Sequence, residues 1–316
     1  MPHTEFDGDR IGASGAHWVA FDVGGTDIKF AVFDAGANMV FTRSEATPQG
    51  ADAGRRIPGT VCGILAGLLA RFPGVQGVGI STAGVVNPEC GEIVYAGLTI
   101  PAYRGVQWMR EIESRFGLPA CVANDVSAAA TGEHWRGAAR GYGDFFCVTL
   151  GTGIGGALFC GGRLITGSSF RAGEIGHSLF DKATCTTYEQ RASMSALLKR
   201  AAAELPGFAG GGRALFDRAR HGDAACERLI DAWSEEVARG LAEIVLLADP
   251  AMIVIGGAVS EQGDYLIDKL SDQMPAYLPA GFARTCLKAA ALGNRAALYG
   301  AIYPYFMKSE GELQDE

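Results

Sequence analysis

One stretch decides the fold: Phe21-Asp22-Val23-Gly24-Gly25-Thr26-Asp27-Ile28-Lys29. Apolar residues alternate before it, from Trp18 to Phe21, and again after it, from Ile28 to Phe33. We therefore expect a glycine turn that joins two strands. Such a turn can present bare backbone N–H groups to a phosphate, and Asp22 at the end of the first strand can hold a hydrated Mg²⁺. The pattern also fits an ordinary tight hairpin whose glycines only supply positive φ.

A second glycine loop lies in the middle of the chain. Residues 145–150 read as a strand, the loop Gly151-Thr152-Gly153-Ile154-Gly155-Gly156 follows, and residues 157–160 read as another strand. Two such units favour phosphate binding over two unrelated hairpins. The loop also fits GxGxxG, and Glu174 lies near the spacing of a ribose-binding acid, so an NAD site is an alternative. That fingerprint needs a helix at the loop, and 157–163 is too short and too rich in glycine for one.

Length and composition limit the function classes. The chain has 316 residues, of which 48% are hydrophobic, so it can bury a large core, and the repeated loop favours two domains. The net charge of −8 and the absence of a basic stripe argue against a nucleic-acid partner. No apolar run approaches the ~20 residues that span a bilayer, and the N-terminus lacks a signal-peptide core. We expect a cytoplasmic protein without a membrane partner.

The eight cysteines are scattered without a CxxC or another short ligand spacing, so we expect most of them to be reduced core residues. Only Cys185 lies near other polar candidates, shortly after His177. One Cys and one His do not make a structural zinc site, which needs four ligands.

The order of elements predicts one α/β architecture used twice, with a cleft between the copies. We expect a flexible N-terminus (1–15), an N-terminal domain (16–124), a C-terminal domain (125–307) and a disordered tail (308–316). The last helix is expected to pack back on the N-terminal domain. We also predict one helix over 189–203 and a flexible surface loop over 207–213 with no assignable chemistry.

Asn124-Asp125 follows an apolar strand and opens a helix, which is where open α/β sheets place their ligands. Asp125 is therefore a candidate base for a hydroxyl that attacks a γ-phosphate, with Asn124 on a neighbouring hydroxyl. The alternative is that Asp125 is only an N-cap.

Further polar candidates follow in the second half. Glu174 and His177 lie between glycines in the stretch 172–177 and suit a polyol ligand, although each would also be unremarkable on a solvated loop. Glu189, at a helix start, is a further candidate, although a glutamate there could also do no more than complement the helix dipole. Gly256 and Gly257 end a buried strand and would allow close approach of an adenosine.

Five motifs occur in order across nearly the whole chain: DVGGTDIK (22–29), NDVSAAATGE (124–133), LGTGIGG (150–156), AGEIGH (172–177) and IGGAVS (255–260). Together they resemble the ROK family, which combines sugar kinases with transcriptional repressors. The resemblance implies the actin-like, RNase H-like ATPase fold, with two α/β domains around a central cleft. The repressors carry a DNA-binding domain before the first phosphate loop, whereas only about twenty residues precede it here, so we expect a kinase.

Several other stretches are similar to the zinc-free bacterial N-acetylmannosamine kinases, namely 79–86, 91–97, 99–105, 187–193 and 260–264. Many ROK glucokinases have Pro-Gly where this chain has Ala83-Gly84. Many ROK kinases follow GEIGH with a cysteine-rich loop that closes a zinc site, but 178–189 retains only Cys185. The resemblance therefore implies no zinc, a direct sugar contact by His177 and a sugar-binding role for Glu189.

The resemblance implies ATP and Mg²⁺ as cofactors, a small sugar as substrate and a homodimer. Asp125 would be the catalytic base for the 6-hydroxyl of N-acetylmannosamine, in sialic acid breakdown, and Asp22 would hold Mg²⁺ through water. The implied sugar contacts are Gly84, Asn124, Asp125, Glu174, His177 and Glu189. The implied ATP contacts are Asp22, Gly24, Gly25, Thr26, Gly151, Thr152, Gly153, Gly155, Gly256 and Gly257.

Three other functions stay open. A ROK glucokinase or β-glucoside kinase shares every motif, and only a substrate panel separates it. A sugar-sensing ROK regulator would bind its ligand without turnover. An NAD-dependent oxidoreductase would bind NADH rather than ATP.

Overall fold

The structure is a computed structural model that describes residues 15–97 and 99–311. The predicted flexible N-terminus, 1–15, lies outside the described residues except for Gly15. Of the tail predicted to be disordered, 308–316, the structure describes the backbone as far as Gly311.

The first half of the chain forms a mixed sheet in the order β3-β2-β1-β4-β7, with a small hairpin of β5 and β6 beside it. β1, β2 and β3 are antiparallel neighbours, whereas β1, β4 and β7 run parallel. The strands are β1 (His17–Val23), β2 (Asp27–Phe33), β3 (Met39–Ala46), β4 (Val75–Thr82), β5 (Val85–Asn87), β6 (Glu92–Tyr95) and β7 (Ala120–Asn124).

The second half repeats this plan in the order β10-β9-β8-β11-β12. An antiparallel meander is again followed by parallel strands. The strands are β8 (Phe145–Leu150), β9 (Ile154–Cys160), β10 (Arg163–Ile165), β11 (Met252–Gly256) and β12 (Cys286–Ala289). The predicted repetition of one α/β architecture is confirmed.

Helices connect and cover the strands. They are α1 (Ala53–Arg71), α2 (Trp108–Phe116), α3 (Asp125–Arg136), α4 (Tyr188–Ala192), α5 (Met194–Glu204), α6 (Gly212–Arg220), α7 (Ala224–Ala248), α8 (Asp264–Gln273) and α9 (Ala296–Gly311). Short 3₁₀ turns occur at Ile175–His177, Ala258–Gln262, Met274–Tyr277 and Gly293–Arg295.

The chain divides into two compact units. Of the described residues, those up to Trp135 and those from Arg295 onward form the first unit, and Arg136–Asn294 form the second. The division falls after α3 rather than after residue 124, because Trp135 at the end of α3 packs its ring against Tyr299, Tyr303 and Phe306 of α9. The last helix thus belongs with the N-terminal strands.

Each sheet has its own core. In the first unit α1 and α2 form one apolar cluster with Phe21 and Val78. The helix α9 packs on Ala20 and Phe33, which belong to a separate cluster. In the second unit Trp233 of α7 is fully buried with apolar residues of β8 and β11. Parallel strands covered on both faces read as continuous apolar runs, which explains the fully buried MIVIG of β11.

The structure corrects two predicted elements. The helix predicted over 189–203 breaks at Ser193, which is extended and whose Oγ accepts a hydrogen bond from the amide of Ala196 at 3.2 Å to cap α5. The Ala192 carbonyl, at the end of α4, accepts from Trp233 Nε1 at 2.8 Å. The loop predicted over 207–213 ends at Gly211, because α6 begins at Gly212.

Candidate active site

Three parallel strands of the first sheet end at the same edge. Val23 of β1 is in register with Thr82 of β4, and Thr82 is in register with Asn124 of β7. The residues that follow these strands are the turn 24–26, the pair Ala83-Gly84 and Asp125, which the sequence selected separately. The structure brings them together at a carboxyl edge, where ligands bind in α/β sheets.

The turn 24–26 is held through its carbonyls. Thr47 Oγ1 donates to the Gly24 carbonyl at 2.7 Å, Gln49 Nε2 donates to the Gly25 carbonyl at 2.8 Å, and the Thr47 amide donates to Thr26 at 2.8 Å. Among the residues that the structure describes, the amides of Gly25 and Thr26 make no hydrogen bond. The turn therefore retains two adjacent donors for an anion.

The reading of this turn as a hairpin whose glycines supply positive φ is wrong. Neither Gly24 nor Gly25 has positive φ. The space at position 25 is narrow instead, because a Cβ there would lie 2.7 Å from Thr99 Cγ2 and would have to displace that side chain.

Asp22 is a held carboxylate at the same edge, with a side chain that is 15% exposed. Ser81 Oγ donates to its Oδ1 at 2.9 Å, and Lys29 Nζ lies 3.5 Å from its Oδ2. Mg²⁺ keeps most of its waters and is commonly bound through one or two carboxylates, so this donor set fits the hydrated ion that the sequence predicts. Lys29 was not selected as a site residue, although it lies within the opening motif.

Asn124 and Asp125 make different contacts at the start of α3. Asn124 Oδ1 accepts from the amides of Val126 (3.0 Å) and Ser127 (3.1 Å), so Asn124 caps the helix. Its Nδ2 donates to the Gly84 carbonyl and to Asp125 Oδ1, both at 3.0 Å. Asp125 Oδ1 also accepts from the Val126 amide at 2.9 Å. The amide of Asn124 thereby fixes the Asp125 carboxylate next to Gly84.

A buried polar chain supports this edge, and the sequence did not reveal it. Thr82 Oγ1 and Tyr103 Oη are 2.6 Å apart, and Trp108 Nε1 donates to Tyr103 Oη at 2.9 Å. Burial raises the pKa of the Tyr103 phenol, and the negative charge of Asp125 raises it further. The phenol therefore stays neutral. The signal in the sequence that could have indicated this chain was the tyrosine in the stretch 99–105, an aromatic residue with a hydroxyl group.

In the second unit the loops after β8 and β11 are neighbours. Thr149 of β8 is in register with Gly256 of β11, so the glycine loop that starts at Gly151 and the pair Gly256-Gly257 lie at one sheet edge. The loop leads into β9, which is a strand. The NAD-binding alternative is therefore wrong, because its fingerprint requires a helix at this point.

Glu189 of α4 contacts this second loop. Its Oε2 accepts a hydrogen bond from the amide of Ile154 at 2.8 Å, and a Cβ on Gly153 would collide with the same carboxylate. The loop is also fixed at Gly151, whose carbonyl accepts from the Met194 amide at 3.0 Å. Glu189, which the resemblance implies as a sugar ligand, thus also holds the loop that is expected to bind phosphate.

Glu174 and His177 come together as the sequence predicts. Glu174 directly precedes the 3₁₀ turn that His177 ends, and His177 Nε2 lies 3.9 Å from Glu174 Oε2. Both side chains are accessible, with 64% of His177 and 41% of Glu174 exposed. Ser178, which follows the turn, accepts from the amide of Tyr188 at 2.9 Å, so this turn adjoins α4 and Glu189.

Arg191 holds the loop 178–187, which joins the 3₁₀ turn Ile175–His177 to α4. Its guanidinium donates to the carbonyls of Leu179 (2.7 Å) and Thr186 (2.8 Å) and to Glu236 Oε2 (3.1 Å). Across the described residues no group of three or more His, Cys, Asp or Glu side chains is arranged to hold a metal ion. The absence of zinc stays a prediction. Nor does any helix within those residues have the length and apolarity to cross a bilayer.

Comparison with known proteins decides the family. The ROK family model matches residues 18–305. The chain belongs to the ROK family.

This ROK protein is 31% identical to a β-glucoside kinase of Listeria monocytogenes over 299 residues, which covers 92% of this chain and 97% of the relative. Among solved structures, it is similar to a Listeria monocytogenes protein described as a candidate N-acetylmannosamine kinase, with a TM-score of 0.80, 31% identity and 93% and 99% coverage. A ROK glucokinase of Streptomyces griseus, solved with glucose and AMPPNP, has a TM-score of 0.75, 32% identity and 90% and 98% coverage. The actin-like fold inferred from the motifs is confirmed.

Proposed function

We propose that this ROK protein is an ATP-dependent sugar kinase and that it phosphorylates the 6-hydroxyl of N-acetylmannosamine. One observation carries the proposal: the Asp125 carboxylate is fixed by Asn124 at the sheet edge that also holds Asp22 and the turn 24–26. A carboxylate base, a metal-binding carboxylate and open amides at one edge are what phosphoryl transfer to a hydroxyl requires.

Asp125 accepts the proton of the attacking 6-hydroxyl. Asn124 orients Asp125 and caps α3, and a direct sugar contact by Asn124 would replace one of its present bonds. Gly84, Glu174, His177 and Glu189 are the other proposed sugar contacts. The imidazole of His177 and the two carboxylates supply donors and acceptors for ring hydroxyls.

The amides of Gly25 and Thr26 bind phosphate oxygens, together with the loop of Gly151, Thr152, Gly153 and Gly155, and Gly24 shapes the first turn. Gly256 and Gly257 receive the adenosine. Asp22 holds Mg²⁺ through water, and the ion supplies neutralisation of the charge on the phosphates. Positioning and charge neutralisation account for most of the rate enhancement in this reaction class.

The substrate is supported by resemblance. The stretches 79–86 and 187–193 are similar to zinc-free N-acetylmannosamine kinases, 178–189 retains only Cys185, and a structural relative is described as a candidate N-acetylmannosamine kinase at 31% identity. A β-glucoside kinase at 31% and a glucokinase at 32% identity favour glucose or a β-glucoside as the second candidate.

A coupled ADP-release assay tests the proposal with N-acetylmannosamine, N-acetylglucosamine, glucose, mannose and cellobiose, each with and without a zinc chelator. We expect the highest kcat/KM with N-acetylmannosamine and no effect of the chelator. Preference for glucose or cellobiose would overturn the substrate and keep the reaction. Binding of sugar without turnover of any of them would overturn the kinase and favour a sugar-sensing regulator.

A further inference from the structure

An arginine-lined cavity lies in the first unit, outside every residue assigned above. It has a volume of about 1100 Å³, and its lining includes Arg55 and Arg56 of α1, Arg104 of the loop before α2, and Arg110 and Arg115 of α2. The lining contains one acidic residue, Glu111. This clustering is unexpected in a chain with 27 basic and 35 acidic residues.

Two of the arginines are already neutralised. Arg56 Nε lies 3.2 Å from Asp52 Oδ1, and Arg115 Nη2 lies 3.0 Å from Glu111 Oε2. For the side chains of Arg55, Arg104 and Arg110, the structure shows no hydrogen bond or ion pair anywhere in 15–97 and 99–307. Three exposed guanidinium groups therefore face a common space without a counter-charge.

The placement of Arg55 opposes local helix stability. Arg55 falls in the first turn of α1, which contains no acidic residue, whereas Arg110 shares the first turn of α2 with Glu111. Positive charge at a helix N-terminus is destabilising, because the aligned backbone N–H groups are already positive there. Residues that break a local rule without a structural gain are expected at functional positions. The N-terminus of α1 and three guanidinium groups thus add to one positive potential.

The cavity wall is fixed in place. The Gly54 amide of α1 donates to the Pro101 carbonyl at 2.8 Å, and the backbone of Tyr103 lies so close that a Cβ on residue 54 would collide with it. Tyr103 is buried and bonded to Thr82 and Trp108. Arg104 therefore extends from an anchored segment beside α1. The backbone that carries Arg104 therefore needs no ordering when a ligand binds.

We propose that this cavity is a binding site for an anion that carries several phosphate groups. Guanidinium groups bind phosphate oxygens through paired, charge-assisted hydrogen bonds, and three of them suit more than one phosphate group. The volume accommodates a small molecule. The site is separate from the residues assigned to ATP and sugar.

The test is isothermal titration of the full chain with inorganic tripolyphosphate in buffer containing a chelator. The variant R55Q/R104Q/R110Q removes the unpaired guanidinium groups and leaves Arg56, which also donates to the Gln49 carbonyl. The control R163Q/R228Q/R284Q removes three exposed arginines from the second unit. ADP release and thermal melting confirm that both variants are folded and active.

We expect the site variant to bind tripolyphosphate at least about tenfold more weakly than the parent chain, and the control within about twofold. Equal affinity of parent and site variant would overturn the proposal, because the probe would then bind elsewhere, as at the glycine loops. An equal loss in both variants would also overturn it, by assigning the effect to net charge. If the triple variant does not fold, Arg104→Gln and Arg110→Gln are titrated singly, with the same criterion against Arg284→Gln.

Discussion

The two glycine loops follow equivalent strands of equivalent sheets, yet a carboxylate braces only the second of them. The turn 24–26 is braced through its carbonyls by Thr47 and Gln49, which leaves amides for an anion. The loop from Gly151 is braced at its Gly151 carbonyl by the Met194 amide and, in addition, at the Ile154 amide by the carboxylate of Glu189. A shared backbone plan therefore does not imply a shared chemical surface.

We infer from this difference that the carboxyl edges of the two sheets have distinct roles. At the first, carboxylates are fixed by protein donors, as Asp22 is by Ser81 and Asp125 is by Asn124. At the second, a carboxylate fixes the loop. A sugar hydroxyl that binds Glu189 would bind the same carboxylate that holds the Ile154 amide of the proposed phosphate loop. Sugar and nucleotide binding should therefore be linked at this edge.

The largest effect should come from Asp125, which lies on neither loop. Asp125→Asn keeps the size and the hydrogen bond from Asn124 but removes the proposed base, so kcat should fall by about 10²–10⁴. Sugar affinity, measured by calorimetry, should change little. Asp272→Asn in α8 is the matched control and should keep normal turnover. Near-normal kcat in Asp125→Asn would assign the chemistry elsewhere and reduce Asp125 to a helix-start residue.

The sequence predicted the frame of the site because strand ends and glycine loops are local patterns. The opening motif, the loop at Gly151 and the pair Asn124-Asp125 all lie where the pattern of strands places them. The sequence could not predict that Glu189 bonds Ile154, because this bond joins residues 35 positions apart. The contact between Thr82 and Tyr103 was missed for the same reason, since it joins residues 21 positions apart.

The break at Ser193 shows the same limit within one helix. Local propensity favours a continuous helix through 189–203, and the serine alone is a weak signal. The break is stabilised by tertiary bonds, in which Trp233 takes the Ala192 carbonyl and Gly151 accepts from the Met194 amide. Tertiary contacts override propensity at this position.

The second-largest effect is expected at Glu189, for which we propose two roles, binding the sugar and holding the loop from Gly151. Glu189→Ala removes both the charge and the loop brace, and kcat/KM should fall by about 10- to 100-fold, as for a lost hydrogen bond to a charged group. Glu189→Gln keeps an acceptor for the Ile154 amide. The KM for ATP should then recover while the KM for sugar stays high. Equal recovery of both KM values in Glu189→Gln would show that the charge has no role in sugar binding.

Gly153→Ala tests the same bond from the other side. A methyl group on residue 153 would displace the Glu189 carboxylate, whereas one on Gly151 meets no atom within 4 Å. Gly153→Ala should therefore resemble Glu189→Ala, and Gly151→Ala should have the smaller effect. The reverse order would contradict the proposed brace.

A buried tyrosine adjoins each edge, and the two should differ in cost. Tyr103→Phe leaves Thr82 and Trp108 without their buried partner, so the free energy of unfolding should fall by about 1–3 kcal/mol. Tyr188→Phe removes one bond, to the Val237 carbonyl, and should cost about 1 kcal/mol. Burial raises the pKa of both phenols, so neither difference should depend on pH near neutrality. Urea unfolding monitored by circular dichroism measures both, and a larger loss in Tyr188→Phe would reverse the comparison.

The smallest effect should come from the brace of the first turn. Thr47→Val keeps the shape of a buried side chain but removes its bond to the Gly24 carbonyl, while Gln49 still holds Gly25. A net loss of about 0.5–1.5 kcal/mol corresponds to a rise of about two- to tenfold in the KM for ATP. The KM for sugar should stay unchanged, unlike in Glu189→Ala, because no proposed sugar ligand touches Thr47. Thr42→Val, at an exposed position of β3, is the control. A parallel rise in the KM for sugar would mean that the first loop, like the second, links the two substrates, and the division of tasks between the edges would be wrong.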